Sequence, residues 1–345
     1  MEKVSRIGLD LAKSVFQIHG VDSGERVVVR RQLRRAEVRG YFANLPPCLV
    51  GVEACGSAHY WARLLTELGH TVRLIPASDV KPYVKRGKKN DATDAAAICE
   101  AVGRPHLRFV PIKSAEQQAV LILHRVRNML VGQRTELINA ARSHLAEFGV
   151  IAGQGKAAFN GLVEIITEGR HVELPDLALK VLRLLTAQID EATVRIKALE
   201  QEIVAWHRRN DASRRLETIP GVGPLTASAI VATVGDAGRF ASGRQFAAWL
   251  GLVPGQNSTG GKAKLGRITK AGDRYLRTLL VIGATGTIRY AREKVPGGGS
   301  WLANLLARKG KAQTRLVTVA LANKTARIVW ALLTRGGVYQ VPVAA

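Results

Sequence analysis

The chain has 345 residues, 47% of them apolar and 5% aromatic, with 51 Lys plus Arg against 27 Asp plus Glu and a formal net charge of +24. Its apolar content excludes a disordered tail, and its length allows two globular domains with buried cores. The charge favours a polyanionic partner, nucleic acid foremost, because each neutralised phosphate releases condensed counterions. Cys48, Cys55 and Cys99 are odd in number and form no CxxC pair, which fits a reducing compartment. Met1 to Arg6 run into a strand with no signal-peptide core. No uninterrupted apolar run reaches the ~18 residues of a spanning helix. The expectation is a cytoplasmic protein with no membrane partner.

Residues 4 to 110 alternate strands and helices. Val4 to Leu9, Val15 to Val21 and Val27 to Leu33 are short β-prone runs parted by Lys13-Ser14 and Asp22-Ser23-Gly24, the pattern of an antiparallel meander. A helix around Arg35 to Ala43 ends near Pro46-Pro47, and Leu49 to Glu53 reads as a buried strand. Helix Ala58 to Leu68, strand Thr71 to Ile75 and a helix beginning near Asp91 follow. The order β-β-β-α-β-α-β-α is that of ribonuclease-H-like folds.

From Ala115 to Phe148 the pattern turns helical and basic, with Arg125, Arg127, Arg134 and Arg142 beside Val126, Leu130, Leu137 and Leu145. After a Gly-rich break at Gly149 to Gly161, apolar residues recur at Leu182, Leu185, Ile189, Ala192, Ile196, Leu199, Ile203 and Trp206. That spacing alternates three and four, the seam of a coiled coil, and serves equally for a dimer or for a hairpin packed on its own neighbour. The third region opens on Pro220-Gly221-Val222-Gly223, a turn before the apolar helix Leu225 to Val234. Such a turn can hold a phosphate on backbone N–H groups at Gly221 and Gly223, as helix-hairpin-helix modules do, or can simply join two helices. A polar loop, Gly255 to Gly261, then precedes a segment crowded with Lys262, Lys264, Arg267, Lys270, Arg274 and Arg277, candidate nucleic-acid contacts with Asp273 their only acid. Pro296 and Gly297 to Gly299 mark a second break before a basic helical end containing Arg308, Lys309, Lys311 and Arg315. The expected architecture is α/β plus α: residues 1–110, then a basic helix and coiled-coil linker at 111–212, then a mostly helical domain at 213–345.

Four carboxylates stand out on so basic a chain: Asp10 and Glu53 at the ends of strands that a ribonuclease-H-like sheet makes neighbours, and Asp91 and Asp94 three apart on one helix face. Carboxylates that converge raise one another's pKa unless a cation lies between them, so the set points to a divalent metal, with Mg²⁺ the hard ion suited to phosphodiester chemistry. Taken singly, Asp10 also fits a turn and Asp91 a helix N-cap. Ser258 lies in a Gly-flanked loop ahead of six basic residues, where a hydroxyl could approach a phosphodiester. Thr259 offers an equivalent hydroxyl, and an ordinary loop serine fits the same context.

These residues occur in a recognisable order: Asp10, Glu53, Asp91 and Asp94, the Pro220-Gly221-Val222-Gly223 turn, Gln245 to Ala248 with Gly251 to Pro254, and Ser258 to Lys262 with Thr269 to Asp273. Across nearly the whole chain this resembles transposases of insertion-sequence family 110, its 1111 subgroup in particular, which are similar in turn to pilin-inversion site-specific recombinases. The resemblance implies an N-terminal RuvC-like domain whose DEDD tetrad, Asp10, Glu53, Asp91 and Asp94, binds Mg²⁺. It also implies a C-terminal transposase domain with Ser258 as nucleophile, forming a phosphoserine link to DNA. Its members are directed by a structured bridge RNA that pairs with donor and target DNA, and their dimers join as a synaptic tetramer. Where other members can show glycine after the serine, this chain has Thr259. Three other readings remain: a metal-only RuvC-like nuclease on branched DNA, a non-catalytic nucleic-acid-binding protein, and, from Gly8 to Lys13, an actin-like sugar kinase, which the basic charge disfavours.

Overall fold

The computed structural model describes residues 4–84, 90–151, 153, 155–168, 174–262, 264–293, 301–309 and 313–340. The break expected at Pro296 to Gly299 and the cation Lys311 lie outside these residues, as do Lys88 and Lys89 ahead of Asp91. The chain forms two compact units, Met1–Gln118 and Ala119–Ala345.

In the first unit β1 (Arg6–Asp10), β2 (Val15–Val21) and β3 (Val27–Arg34) form the antiparallel meander. Next come α1 (Val38–Ala43), β4 (Leu49–Glu53), α2 (Ala58–Glu67), β5 (Thr71–Ile75), the short α3 (Ala77–Val80), a 3₁₀ turn at Lys81–Tyr83, and α4 (Asp91–Val102). The sheet order is β3-β2-β1-β4-β5, with β4 parallel to both β1 and β5. Successive strand side chains point to opposite faces, and this alternation builds the layers. Ile7, Leu9, Val50 and Val52 enter one core with Phe42 of α1 and with Trp61, Ala62 and Leu65 of α2.

The residues between them face α4. Gly8 and Gly51 are cross-strand partners in the β1–β4 ladder, so the sheet has a bare patch two strands wide. A Cβ on Gly8 would collide with the Ala95 carbonyl O and the Cys99 N, and one on Gly51 would lie 2.6 Å from the Val102 Cβ. Helix α4 therefore rests directly on the strand backbones. Ala97, Ile98, Ala101 and Val102 of α4 also pack with Ile75 of β5 and with Val80. Ala95 sits over Gly8 while Gly103 abuts Arg6, so α4 runs opposite to β1 and brings its N-terminal turn to the Asp10 end of the strand.

Helix α5 (Ala115–Ala146) begins in the first unit, where the Arg63 guanidinium donates to the Lys113 carbonyl and to Gln118 Oε1, both at 2.6 Å. The second unit continues with α6 (Lys156–Glu168), α7 (Asp176–Arg209), α8 (Asp211–Glu217), α9 (Pro224–Val234) and α10 (Gly243–Trp249). A hairpin of β6 (Pro254–Gln256) and β7 (Leu265–Ile268) leads to α11 (Arg274–Glu293), α12 (Trp301–Lys309) and α13 (Thr314–Arg335). Its main core gathers Leu216 and Ile219 near α8, Ile230 of α9, Phe246 of α10, Leu276 and Leu280 of α11, and Ala322, Ala326 and Val329 of α13.

One expectation is corrected, and one left open between two arrangements meets an observation. The Gly-rich break is shorter than expected, because Phe159, Leu162 and Ile166 give residues 156–168 a helical apolar face and draw Gly161 into α6. The three-and-four seam of α7 is buried within the chain at Leu182, Ile189, Ala192, Ile196 and Ile203. Arg127 of α5 donates to Glu200 of α7 and Arg134 to Thr193, so the seam follows the hairpin arrangement within its own unit. Helix α13 is apolar and long enough to cross a membrane by length and composition. Its Val317, Ala322, Ala326 and Val329 are buried in the packing of this unit, as in the core helix of a globular domain.

Candidate functional site

Asp10 and Glu53 close β1 and β4. The register that pairs Leu9 with Val52 makes them the next neighbours on the parallel ladder, on the face that α4 covers. The helix starts on a capping box: Thr93 N–H donates to Asn90 Oδ1 at 2.8 Å, and Asn90 N–H donates to Thr93 Oγ1 at 3.1 Å. Asn90 thus fills the N-cap, and Asp91 is released from that role. Asp91 and Asp94 stand in the first turn, where the helix macrodipole favours negative charge.

The carboxylates act on one another. Asp10 is half-buried, and its pKa rises to about 6, through burial first and then through the charges of Asp94, Asp91 and Glu53. Four hard oxygen donors suit a divalent cation of the Mg²⁺ class. Among the described residues no three acidic, His or Cys side chains are gathered tightly enough to hold an ion as they stand.

Ser258 lies at the tip of the β6–β7 hairpin, which forms where a polar loop is expected. Thr259 and Lys262 form the last bridge, closed by Lys262 N–H donating to the Thr259 carbonyl at 3.1 Å. Gly260 and Gly261 between them have φ of 56° and 78°, the two left-handed residues of a tight hairpin turn. Ser258 and Thr259 are both exposed. Ser258 Oγ accepts from Gln256 Nε2 at 2.8 Å, and an amide cannot take the serine proton. Lys262, Lys264 and Arg267 run along the tip and the returning strand. Lys270 and Arg274 follow toward α11, while Arg277 is committed to the backbone, donating to the carbonyls of Leu250 and Ala271 at 3.0 and 2.8 Å.

The Pro220–Gly223 turn joins α8 to α9, and Gly221 packs closely against α11. Gly221 has φ +83°, and a Cβ there would lie 2.7 Å from the Gly283 carbonyl and 2.6 Å from Thr287 Oγ1 of α11. The helix-joining reading therefore accounts for Gly221, and Gly223 forms the N-cap of α9 with open space at its Cβ. Sequence reasoning passed over Arg244, Lys324, Arg327 and Trp301, which share a cleft with Arg267 and Lys270 of the hairpin side. One signal was present: Asn323, Lys324 and Arg327 interrupt the apolar α13 about one turn apart.

Residues 7–149 match a family model described as Transposase, of the DEDD type, and residues 213–296 match one described as Transposase IS116/IS110/IS902 family. A Pseudomonas aeruginosa protein named "Probable family 20 transposase" is 56% identical over 98% of this chain and 99% of its own length. The transposase for insertion sequence element IS1111A of Coxiella burnetii is 40% identical, covering 99% of this chain and 92% of that protein. The transposase for insertion sequence element IS1328 of Yersinia enterocolitica is 38% identical, covering 98% and 99%. The chain belongs to the IS110/IS116/IS902 family of transposases, and DNA transposition is its activity class.

Proposed function

We propose that this transposase cuts and rejoins DNA strands through a serine ester at Ser258, with Asp10, Glu53, Asp91 and Asp94 as the holders of Mg²⁺. The observation that carries the reading is that Asp10 and Glu53 end neighbouring strands beside the first turn of α4, which bears Asp91 and Asp94, near enough for all three to raise the Asp10 pKa though not gathered as an ion's ligands. The sheet order and the position of α4 support a RuvC-like, ribonuclease-H-like reading of that unit. Bound there, a divalent ion would supply Lewis-acid polarisation of a phosphate. In the step assigned to the hairpin, the Ser258 Oγ–P bond forms and a P–O bond to the sugar breaks. The leaving oxygen takes up a proton, and the serine proton passes to solvent. Lys262, Lys264 and Arg267 on the same hairpin would offset the charge that develops on the phosphate. A serine ester retains the phosphodiester bond energy, so rejoining needs no nucleotide cofactor. Guidance by a structured bridge RNA, and a homodimer that pairs into a tetramer at synapsis, complete the proposal by resemblance. The +24 net charge is in keeping with both nucleic acids.

A second reading has one observation in its favour: the only Ser258 side-chain partner among the described residues is an amide, so a metal-only nuclease would need nothing from this hydroxyl. Strand exchange on a donor–target pair separates the two. Ser258→Ala and Asp10→Asn should each abolish exchange, whereas Mg²⁺-dependent cleavage at the wild-type rate by Ser258→Ala would establish the nuclease reading instead.

A further inference from the structure

Within the second unit a cleft of 1610 Å³ lies between the base of the β6–β7 hairpin and the helices α10, α12 and α13. Small-molecule sites run to roughly 300–1,000 Å³, so this one has room for a length of polymer. Its charge has one sign. Arg267 and Lys270 stand on the hairpin side, Arg244 on α10, and Arg315, Lys324, Arg327 and Arg335 on α13, while no Asp or Glu is among the described residues that line it. Between the cations the lining is apolar, with Val319, Ile328 and Ala331 of α13, and two large side chains stay open to solvent: Trp301 at 40% and Leu316 at 51%.

The walls are fixed in place. Gly243 of α10 leaves only 3.1 Å between a would-be Cβ and the Arg327 Cα, and Asn323 Nδ2 donates to the Leu252 carbonyl at 3.1 Å. Lys324 Nζ sits 4.3 Å from the centre of the Trp301 ring, which ties α12 to α13. Burial, and then the neighbouring Arg327 charge, lower the Lys324 pKa.

We infer that this cleft binds a single-stranded nucleic-acid segment, its phosphates on the Arg and Lys rim and an unpaired base on Trp301. Duplex DNA presents phosphates but keeps its base faces stacked, and would leave the apolar floor and the exposed indole unused. A single strand uses both, since any base can stack on an aromatic ring while cations track the backbone. The inference does not require Ser258 to be the nucleophile, because neither Ser258 nor the hairpin tip lines the cleft.

Fluorescence anisotropy on the full-length protein tests it, with fluorescein-labelled 12-mers as single-stranded DNA, single-stranded RNA and duplex DNA. Trp301→Ala should weaken single-strand binding by about tenfold, the loss of one stacked base, and duplex binding by less than about twofold. Arg315→Gln, at an exposed position, should lower the log–log salt slope for single strands by roughly 0.7. Tighter binding of RNA would identify the occupant as a guide strand, tighter binding of DNA as a strand under exchange, and either supports the inference. Single-strand affinity unchanged in Trp301→Ala, or duplex affinity lost in equal measure, overturns it. Should circular dichroism show Trp301→Ala unfolded, an unchanged salt slope in Arg315→Gln overturns it as well. Ser258→Ala should bind every oligonucleotide as the wild type does, so a failed nucleophile assignment and a failed cleft assignment give different results.

Discussion

Replacing Asp10 with Asn should stabilise the cation-free protein while removing its activity. In the folded chain the Asp10 pKa stands at about 6 against a reference of 3.8, because burial and then the charges of Asp94, Asp91 and Glu53 disfavour its ionised form. A raised folded pKa means that the folded state binds this proton more tightly than the unfolded state. The protonated carboxyl therefore costs nothing below pH 3.8, and the penalty grows as pH rises through 6. The shift of about two units corresponds to ~3 kcal/mol at full weight, and half-exposure with solvent screening reduces it to about 1–2 kcal/mol. In EDTA at pH 7.5, thermal unfolding of Asp10→Asn should occur a few degrees above wild type, and the gap should close near pH 4. Millimolar Mg²⁺ should raise the wild-type midpoint and leave the variant nearly unmoved. A variant less stable than wild type in EDTA at pH 7.5, or a gap that ignores pH, would refute the account of how these carboxylates interact.

Three further outcomes are expected. Gly8→Ala should destabilise the first unit by about 2 kcal/mol or more, measured by urea denaturation, because its methyl group collides with the backbone of α4. His124 is buried between Tyr275 Oη and Ser228 Oγ, each at 3.1 Å, and burial followed by the Arg127 charge lowers its pKa to about 4. Its stabilising contribution is whole above pH 6.5 and is lost as pH falls toward 4, roughly 2–3 kcal/mol in all; His124→Gln should flatten that acid limb of the stability curve. Binding of duplex DNA should weaken steeply between 50 and 200 mM salt, and a log–log slope equal to only one or two phosphate contacts would contradict a broad cationic surface.

The strands of the first unit were legible because they are compact apolar runs bounded by turn residues. Leu49–Glu53 and Thr71–Ile75 fall where the pattern places them, and β1 is displaced by two residues at its start and one at its end, which brings Asp10 into the strand. The nearness of Asp10 to Asp91 and Asp94 was legible only as a consequence of the expected sheet. Its physical cause, the Gly8–Gly51 patch on which α4 lies, depends on a cross-strand register that no local pattern encodes. The β6–β7 hairpin escaped for a different reason. Its strands have three and four residues and contain Pro254, Gly255 and Gly266, so β propensity is weak, and Gly260-Gly261 makes a tight turn inside the expected polar loop. Gly221 shows a different limit: its glycine is required by the close approach of α11, which is remote in sequence. The cleft needed four separated segments to be brought together, and only the stripe on α13 hinted at it.

The central claim is that Ser258 becomes covalently joined to DNA in a reaction that needs the carboxylate group. The most direct measurement is mass spectrometry of the peptide carrying residues 255–262 after reaction with a labelled DNA substrate, denaturation and nuclease digestion. The account predicts a nucleotide adduct on Ser258 that forms with Mg²⁺, is absent in EDTA and in Asp10→Asn, and is absent in Ser258→Ala. Strand exchange at the wild-type rate with no adduct, or an adduct mapped to Thr259, would contradict it.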